Sequence, residues 1–523
     1  IMWGFFLILG LAVLLIVALI YIGIRYKFDY WRLLDIPHEE PKETLEVFRE
    51  MWHSQPAVCV EPIEVDVDRI GQLYRRFKGS GPFCGFYHVL QPTVLVLDLE
   101  LCQQILIKDF GSFNDRGHYY NKSSDPLSAH LFNLSDQNWR ETRPRLECTF
   151  TAEALSSLFE GLQRQCHNLV NHFEDSLEGN NAASAVKVLP LKVLPLVSRY
   201  VCATMATCVF GLPASGGDAE QRLEEFHKMT LEAHKTPHRH GRYVQDLLYR
   251  HPAFGKKLGL ALTDQNVQTY FMGLVQDVVS QRELNRLVVN DYMQLLIDMK
   301  RLEFRNAQSS DEATEEQPLQ KRLLNELAGH AYGFLRTGFE ATSLAISWAL
   351  QELALQQEVQ QSVREEINAA LQRHEDRLDY ECLKIFGNVY FLFAETIRLH
   401  PLTPYLTRRT LYDYRVPNHT KYLLKRDMCV VIPVHAIHND PDYFPEPQLF
   451  RPERFSEEAT RSRDQCVWLG FGAGPRNCIA LQFAQLQMRL TLASLLRSYK
   501  FSVDPASPMP TLEGGVPLMV QRI

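Results

Sequence analysis

Phe471-Gly472-Ala473-Gly474-Pro475-Arg476-Asn477-Cys478-Ile479-Ala480 decides how the rest of the chain is read. Two glycines and a proline make a tight loop that offers one sulfur, with an arginine two residues before it. An apolar-periodic run from Ile479 to about Leu496 follows, so the sulfur stands at the predicted start of a helix. Backbone N–H groups and the positive helix end favour a thiolate there and lower the cysteine pKa. A lone Cys in a Gly-rich turn is ordinarily structural packing. The spacing of Phe471, Gly474, Arg476 and Cys478 is too specific for that reading.

Working outward, the 523 residues are 46% hydrophobic and 22% charged, ordinary for a large globular protein whose length alone allows about three domains. A net charge of -7 gives no electrostatic case for nucleic acid. The eleven cysteines are scattered, odd in number and without a CxxC pair, which argues against a disulfide framework or a zinc ribbon. A reducing compartment fits.

Residues 1–24 carry no charge, about enough helix to cross a ~30 Å hydrocarbon core. Arg25, Lys27 and Arg32 follow, so the positive-inside rule keeps the bulk of the chain in the cytosol. A cleavable signal peptide is the competing reading, but it would put basic residues before a shorter apolar run. The division expected is a transmembrane signal anchor (1–24), a basic, Pro-containing linker (25–42) and one catalytic domain (43–523). Ile36-Pro-His-Glu-Glu-Pro41 reads as a stiff hinge standing the body off the membrane. Asn121, Asn133 and Asn418 match the glycosylation pattern, and a cytosolic body leaves them unmodified.

Further along, Val94–Asp98 reads as a strand, Leu99–Lys108 as a helix and Phe110–Pro126 as a loop. Helical periodicity then dominates to about residue 400, with a Gly/Pro/Ser break at Cys208–Gly217. His234, His238 and His240 lie close together, but the Lys, Pro and Arg around them suggest an exposed loop rather than a metal site. Arg301–Gln317 reads as a polar surface connection. Leu323 to about Leu355 is one long helix, with Leu324, Leu327, Ala331, Leu335, Gly338 and Thr342 on a buried stripe. Strands and turns follow from Asp413. The class expected is mainly α with a smaller β-rich part.

Three more patterns accompany the Cys loop. Trp139 and Arg143 share a helix face at i, i+4. Glu395-Thr-Ile-Arg398 puts opposite charges at i, i+3, and Phe450-Arg-Pro-Glu-Arg454-Phe455 comes well downstream. In this order, with the Cys loop, they resemble the cytochrome P-450 family over the whole chain. Asp125-Pro-Leu-Ser-Ala-His-Leu-Phe132, Asp291–Ile297 and Ile437-His-Asn-Asp-Pro441 resemble its microsomal, insect-type detoxification branch. The resemblance implies that Cys478 is the axial ligand of haem b, with Phe471 in the same loop. It implies that Trp139, Arg143, Arg408, Arg476 and Arg116 contact the haem, its propionates above all, and that Glu395, Arg398 and Arg454 lock into a buried ionic triad.

Where the family carries a small residue, Gly, an acid and then Thr, this chain reads Thr337-Gly338-Phe339-Glu340-Ala341-Thr342. Gly338 opens room for oxygen, and Glu340 and Thr342 are the oxygen-activation candidates. Ala341 replaces the usual Thr, and Thr342 lies one position late, about 100° around the helix unless it bulges. A water or substrate hydroxyl can stand in; the alternative is poor oxygen activation. Ala480 and Gln482 replace a usual Gly and Arg beside the ligand.

The implied function is a membrane-bound haem-thiolate monooxygenase of the endoplasmic reticulum, its catalytic domain on the cytosolic face. Its substrate would be small and lipophilic (a xenobiotic, hormone or lipid). Electrons would come from NADPH through NADPH-cytochrome reductase, with cytochrome b5 as a further donor and Arg140 and Arg145 steering the docking. The implied pocket is walled by Phe334, Ala341, Leu402, Leu406 and parts of 113–132 and 514–518. The alternatives are a reductase-independent peroxide isomerase or dehydratase, and a haem-binding protein with little turnover.

Overall fold

Helices carry most of the chain, as the three- and four-residue spacing of its apolar residues requires, and the sheets are small. A computed structural model describes residues 2–41, 66–88, 91–178, 188–213, 216–239, 247–308, 316–419, 421–504 and 515–523. The helices that frame the site are, in chain order, α1 (Met2–Phe28), α2 (Asp136–Glu147), α3 (Ala152–Glu178), α4 (Val193–Thr204) and α5 (Ala219–Arg239). They continue with α6 (Gln265–Asn285), α7 (Tyr292–Gln308), α8 (Glu316–Leu355), α9 (Gly387–Leu399) and α10 (Leu481–Ser498).

The 40-residue α8 is the axis. Leu327, Ala331, Leu335, Phe339, Ile346 and Leu350 are all buried, and α4, α6, α7, α9 and α10 pack around it. The faces that meet these helices are apolar, while Arg336, Thr337, Glu340 and Thr342 in its middle are only half-buried. The expected connection at Arg301–Gln317 is shorter than read: α7 runs on to Gln308 and α8 opens at Glu316.

A four-stranded sheet lies at the other side of the site. It contains β1 (Phe83–His88), β2 (Gln91–Val96), β3 (Leu406–Arg409) and β4 (Cys429–Ile432), in the order β1-β2-β4-β3. Only β2 and β4 run parallel, with Val94 opposite Val430. A second sheet joins Val188–Lys192, Pro517–Arg522 and Tyr499–Ser502. After β2 the expected helix is an α-turn, Leu99–Gln103, continued by a wider π-turn, Gln104–Lys108.

The segment expected as a stand-off lies on the sheet instead. Ile24, Phe28, Trp31 and Ile36 are buried in the cluster around β1. Trp31 Nε1 donates to the Phe86 carbonyl at 3.2 Å, and a Cβ at Gly85 would stand 2.4 Å from the Trp31 ring. Gly85 N–H donates to Pro37 O at 2.8 Å and Glu39 N–H to Gly85 O at 2.9 Å, which uses the hinge backbone as a strand edge. Among the described residues no helix is long and apolar enough to cross a membrane, and 12 of the 27 side chains of Met2–Phe28 fall outside those residues.

Candidate functional site

The Cys loop is held by its backbone. Cys478 N–H donates to Phe471 O at 2.9 Å, and Gly472 N–H to Leu469 O at 2.9 Å. Gly474 sits at φ +70°, and a Cβ there would lie 1.9 Å from the Leu106 carbonyl of the π-turn, so no other residue fits. The helix begins two residues later than expected, at Leu481. Before the loop, Leu469 N–H donates to His438 Nε2 at 2.9 Å, a support that sequence spacing does not reveal.

Cations converge on this loop. Arg143, from α2, donates to Asn477 O at 2.8 Å and Asn477 Oδ1 at 3.1 Å. Arg476 donates to the Asn114 and Leu134 carbonyls and, at 3.2 Å, to Phe132 O; its guanidinium lies 5.2 Å from the Trp139 ring centre. Arg116 donates to Arg476 O at 3.3 Å and lies over the Phe132 ring at 4.0 Å. Arg408, on β3, is fully buried and donates to Thr407 O at 2.7 Å. His118 is pressed on Phe132, its buried Nε2 has no hydrogen-bond partner, and burial beside Arg116 and Arg476 keeps its pKa well down. Three guanidiniums (Arg116, Arg143 and Arg476) about the loop, a fourth buried on β3 and one unsatisfied imidazole suit a flat cofactor carrying carboxylates, so haem fits this residue set.

Behind the loop, Glu395 and Arg398 form a bidentate pair, both 0% exposed, at 2.7 and 2.9 Å. Arg454 Nε is 3.4 Å from Glu395 Oε1, and the Arg451 N–H donates to the same oxygen at 2.8 Å. Arg398 also donates to His438 O at 2.9 Å, which links this cluster to the support under Leu469.

A family profile described as Cytochrome P450 matches residues 63–522. The chain belongs to the cytochrome P450 family. It is 42% identical to Probable cytochrome P450 317a1 of Drosophila melanogaster, over 100% of this chain and 98% of the relative. It is 33% identical to Cytochrome P450 6a2 of Drosophila melanogaster (95% and 96% covered) and to Cytochrome P450 6A1 of Musca domestica (97% and 94%). As a P450 of this insect group it is an oxidoreductase of the haem-thiolate monooxygenase class.

In this P450 the Cys478 thiol is pushed up by burial, against the expectation of a lowered value. The Ala480 N–H on the sulfur and the charges of Arg143 and Arg116 pull the other way and are outweighed. A bound metal deprotonates such a thiol outright. On α8, burial raises the Glu340 carboxyl and Arg336 opposes it. The helix is uninterrupted from Glu316 to Leu355, so no bulge brings Thr342 round to the Ala341 face. A Cβ at Gly338 would stand 2.9 Å from Met205 Cε, so this glycine lets Met205 pack closely against the helix.

Phe334 does not wall an open pocket. It stacks on Phe150 (5.5 Å) and Tyr292 (5.1 Å) and abuts Phe483 at 5.3 Å. Leu406 is buried in the sheet cluster and Leu402 is half-buried. Residue 514 lies outside the described residues, as does His240. His234 is not in an exposed loop: it sits on α5 against Phe339, ring centres 5.1 Å apart. No group of metal-binding side chains occurs among the described residues.

Burial pushes His130, His234, His330 and His438 down to about 3 from 6.5. The folded rings stay neutral where unfolded rings take up a proton. Their contribution is therefore full above pH 6.5 and is lost as pH falls from there towards 3. The unfolding free energy from urea titration is expected to hold above neutrality and to fall below it, by on the order of 1 kcal/mol per pH unit for each such ring, with the midpoint falling alongside. A flat midpoint between pH 7 and 5 would contradict this.

Proposed function

We propose that this P450 is a membrane-anchored monooxygenase of the endoplasmic reticulum that inserts one oxygen atom from O2 into a lipophilic substrate. Electrons come from NADPH through a reductase, with cytochrome b5 as a second donor and the catalytic domain in the cytosol. The observation that carries the reading is the Cys478 sulfur before α10, ringed by Arg116, Arg143 and Arg476. The uncharged run before Arg25 supports the anchor, and the exposed Arg140 supports reductase docking near the Cys loop.

Haem b bound here supplies dioxygen activation and the oxidising power. Cys478 holds it through sulfur and lends electron density. Arg116, Trp139, Arg143, Arg408 and Arg476 take its carboxylates, with Phe471 beside the sulfur. Arg143 and Asn477 keep the loop from moving, while Glu395, Arg398 and Arg454 fix the chain behind it. Glu340, whose carboxyl is raised by burial, is the acid this reading assigns to passing on a proton at the point of reaction. Ala341 has no hydroxyl to pass that proton on, so a water or a substrate hydroxyl takes its place, and Thr342 faces elsewhere.

Reconstituted holoprotein with reductase and NADPH is expected to consume NADPH in a substrate-dependent way. Hydroperoxide turnover without NADPH would favour an isomerase or dehydratase; a thiolate spectrum without either would favour a haem binder. In Ala341→Thr the ratio of product formed to NADPH consumed should rise several-fold, within the ~10²-fold range of positioned proton transfer. An unchanged ratio would count against the role given to residue 341.

A further inference from the structure

A cavity of about 80 Å³ opens between α2, the 122–134 loop, α7 and the N-terminal half of α8. That is roughly two or three waters' share of the liquid, enough for one tetrahedral oxyanion. Its inner end is closed by tight packing: a Cβ at Gly329 of α8 would stand 2.9 Å from the Pro126 carbonyl. Asn138, Thr142 and Arg145 reach it from α2 at helical spacing. They lie on a different face of that helix from Arg143, which turns to Asn477, and from Trp139, which lies under Arg476. The cavity is therefore separate from the Cys loop.

Its walls carry both signs of charge. Lys122 Nζ donates to Asn138 Oδ1 at 2.8 Å, an amide rather than a carboxylate. Lys300 of α7 is 6% exposed and donates to Glu326 Oε2 at 2.7 Å, while Arg145 and Glu141 stand exposed on α2. His330, one turn along α8 from Glu326, is 7% exposed, and its Nδ1 has no hydrogen-bond partner. Burial first, then the charges of Lys300 and Lys122, push that ring down to about 3, so it is neutral and feels both ammonium groups. A buried ring nitrogen left unpaired is costly, and a group inside the cavity would remove the cost.

Three cations and a ring N–H favour an anion there. The carboxylates of Glu141 and Glu326 repel an anion that carries no proton and accept from one that does. Glu326 spends Oε2 on Lys300 and has Oε1 as its second acceptor. Near neutral pH inorganic phosphate retains an O–H. Sulfate does not, and a phosphate monoester, with a second pKa of about 6, has mostly lost its own.

We propose that this cavity binds inorganic hydrogen phosphate, held by Lys122, Arg145, Lys300 and the His330 Nδ1–H, with Glu326 accepting its O–H. The ion would tie α2, which carries Arg143, to α7 and α8. The assignment goes beyond the monooxygenase reading and does not rest on it.

The test is calorimetric titration of the holoprotein, prepared free of phosphate, with sodium phosphate, sulfate and methyl phosphate at one ionic strength and a pH of about 7.5. Phosphate is expected to saturate a single site and to bind roughly tenfold or more tightly than the other two, the scale of one charge-assisted hydrogen bond. Lys122→Ala, at an exposed position, should weaken phosphate roughly tenfold, and His330→Leu should do the same. Absence of saturable phosphate binding, equal affinity for sulfate or methyl phosphate, or an affinity unmoved in Lys122→Ala overturns the proposal. The comparison of the three anions on the parent protein decides even if His330→Leu fails to fold.

Discussion

Substituting Ser for Cys478 abolishes the thiolate band of the reduced, CO-treated holoprotein and takes substrate-dependent turnover to background. The change removes one sulfur and little else. The loop backbone is fixed by the Cys478 N–H to Phe471 O, by Gly474 against Leu106 O and by Arg143 on Asn477, and serine disturbs none of these. A hydroxyl does not ionise as a thiol does, and the Ala480 N–H, Arg143 and Arg116 that favour the anion are already outweighed by burial for sulfur. Retention of the thiolate band in Cys478→Ser would mean that another cysteine ligates. Of the other described cysteines, all but Cys148 are buried, which makes the prediction sharp.

Arg398→Met is expected to lower stability by about 3–5 kcal/mol, because it strands the Glu395 carboxylate where no solvent reaches it. The loss extends beyond the pair. Arg398 also donates to the His438 and Leu449 carbonyls, and His438 in turn receives the Leu469 N–H at the entrance to the Cys loop. Haem retention should therefore fall with stability. Arg454→Met should cost less, since its Nε is 3.4 Å from Glu395 and the side chain is partly open. Urea midpoints and haem content of the two variants check this; equal losses would mean that Arg454 carries as much as Arg398.

What could be read from the chain alone was whatever depends on local spacing. The α8 stripe, the Val94 strand, the Cys loop and the Glu395-Arg398 pair are all local patterns whose partners lie within a turn or a strand. Phe334 was misread because one helix presents several faces, and spacing does not say which neighbour each one meets. Trp31 seats on Gly85 across 54 residues, and no Pro-rich spacer announces that. Burial of Cys478, which reverses its expected pKa shift, is a property of the assembled loop. His118 and His130 come from a loop whose path the sequence does not encode.

The Trp31 indole occupies the space a side chain at position 85 would need, and its N–H is tied to Phe86. That keys the N-terminal helix to the sheet as a tenon sits in a mortise. Swivelling between the two would first require the indole to be withdrawn. The leading helix and the catalytic body must therefore tumble together, and any surface that grips the former dictates which side of the latter faces it.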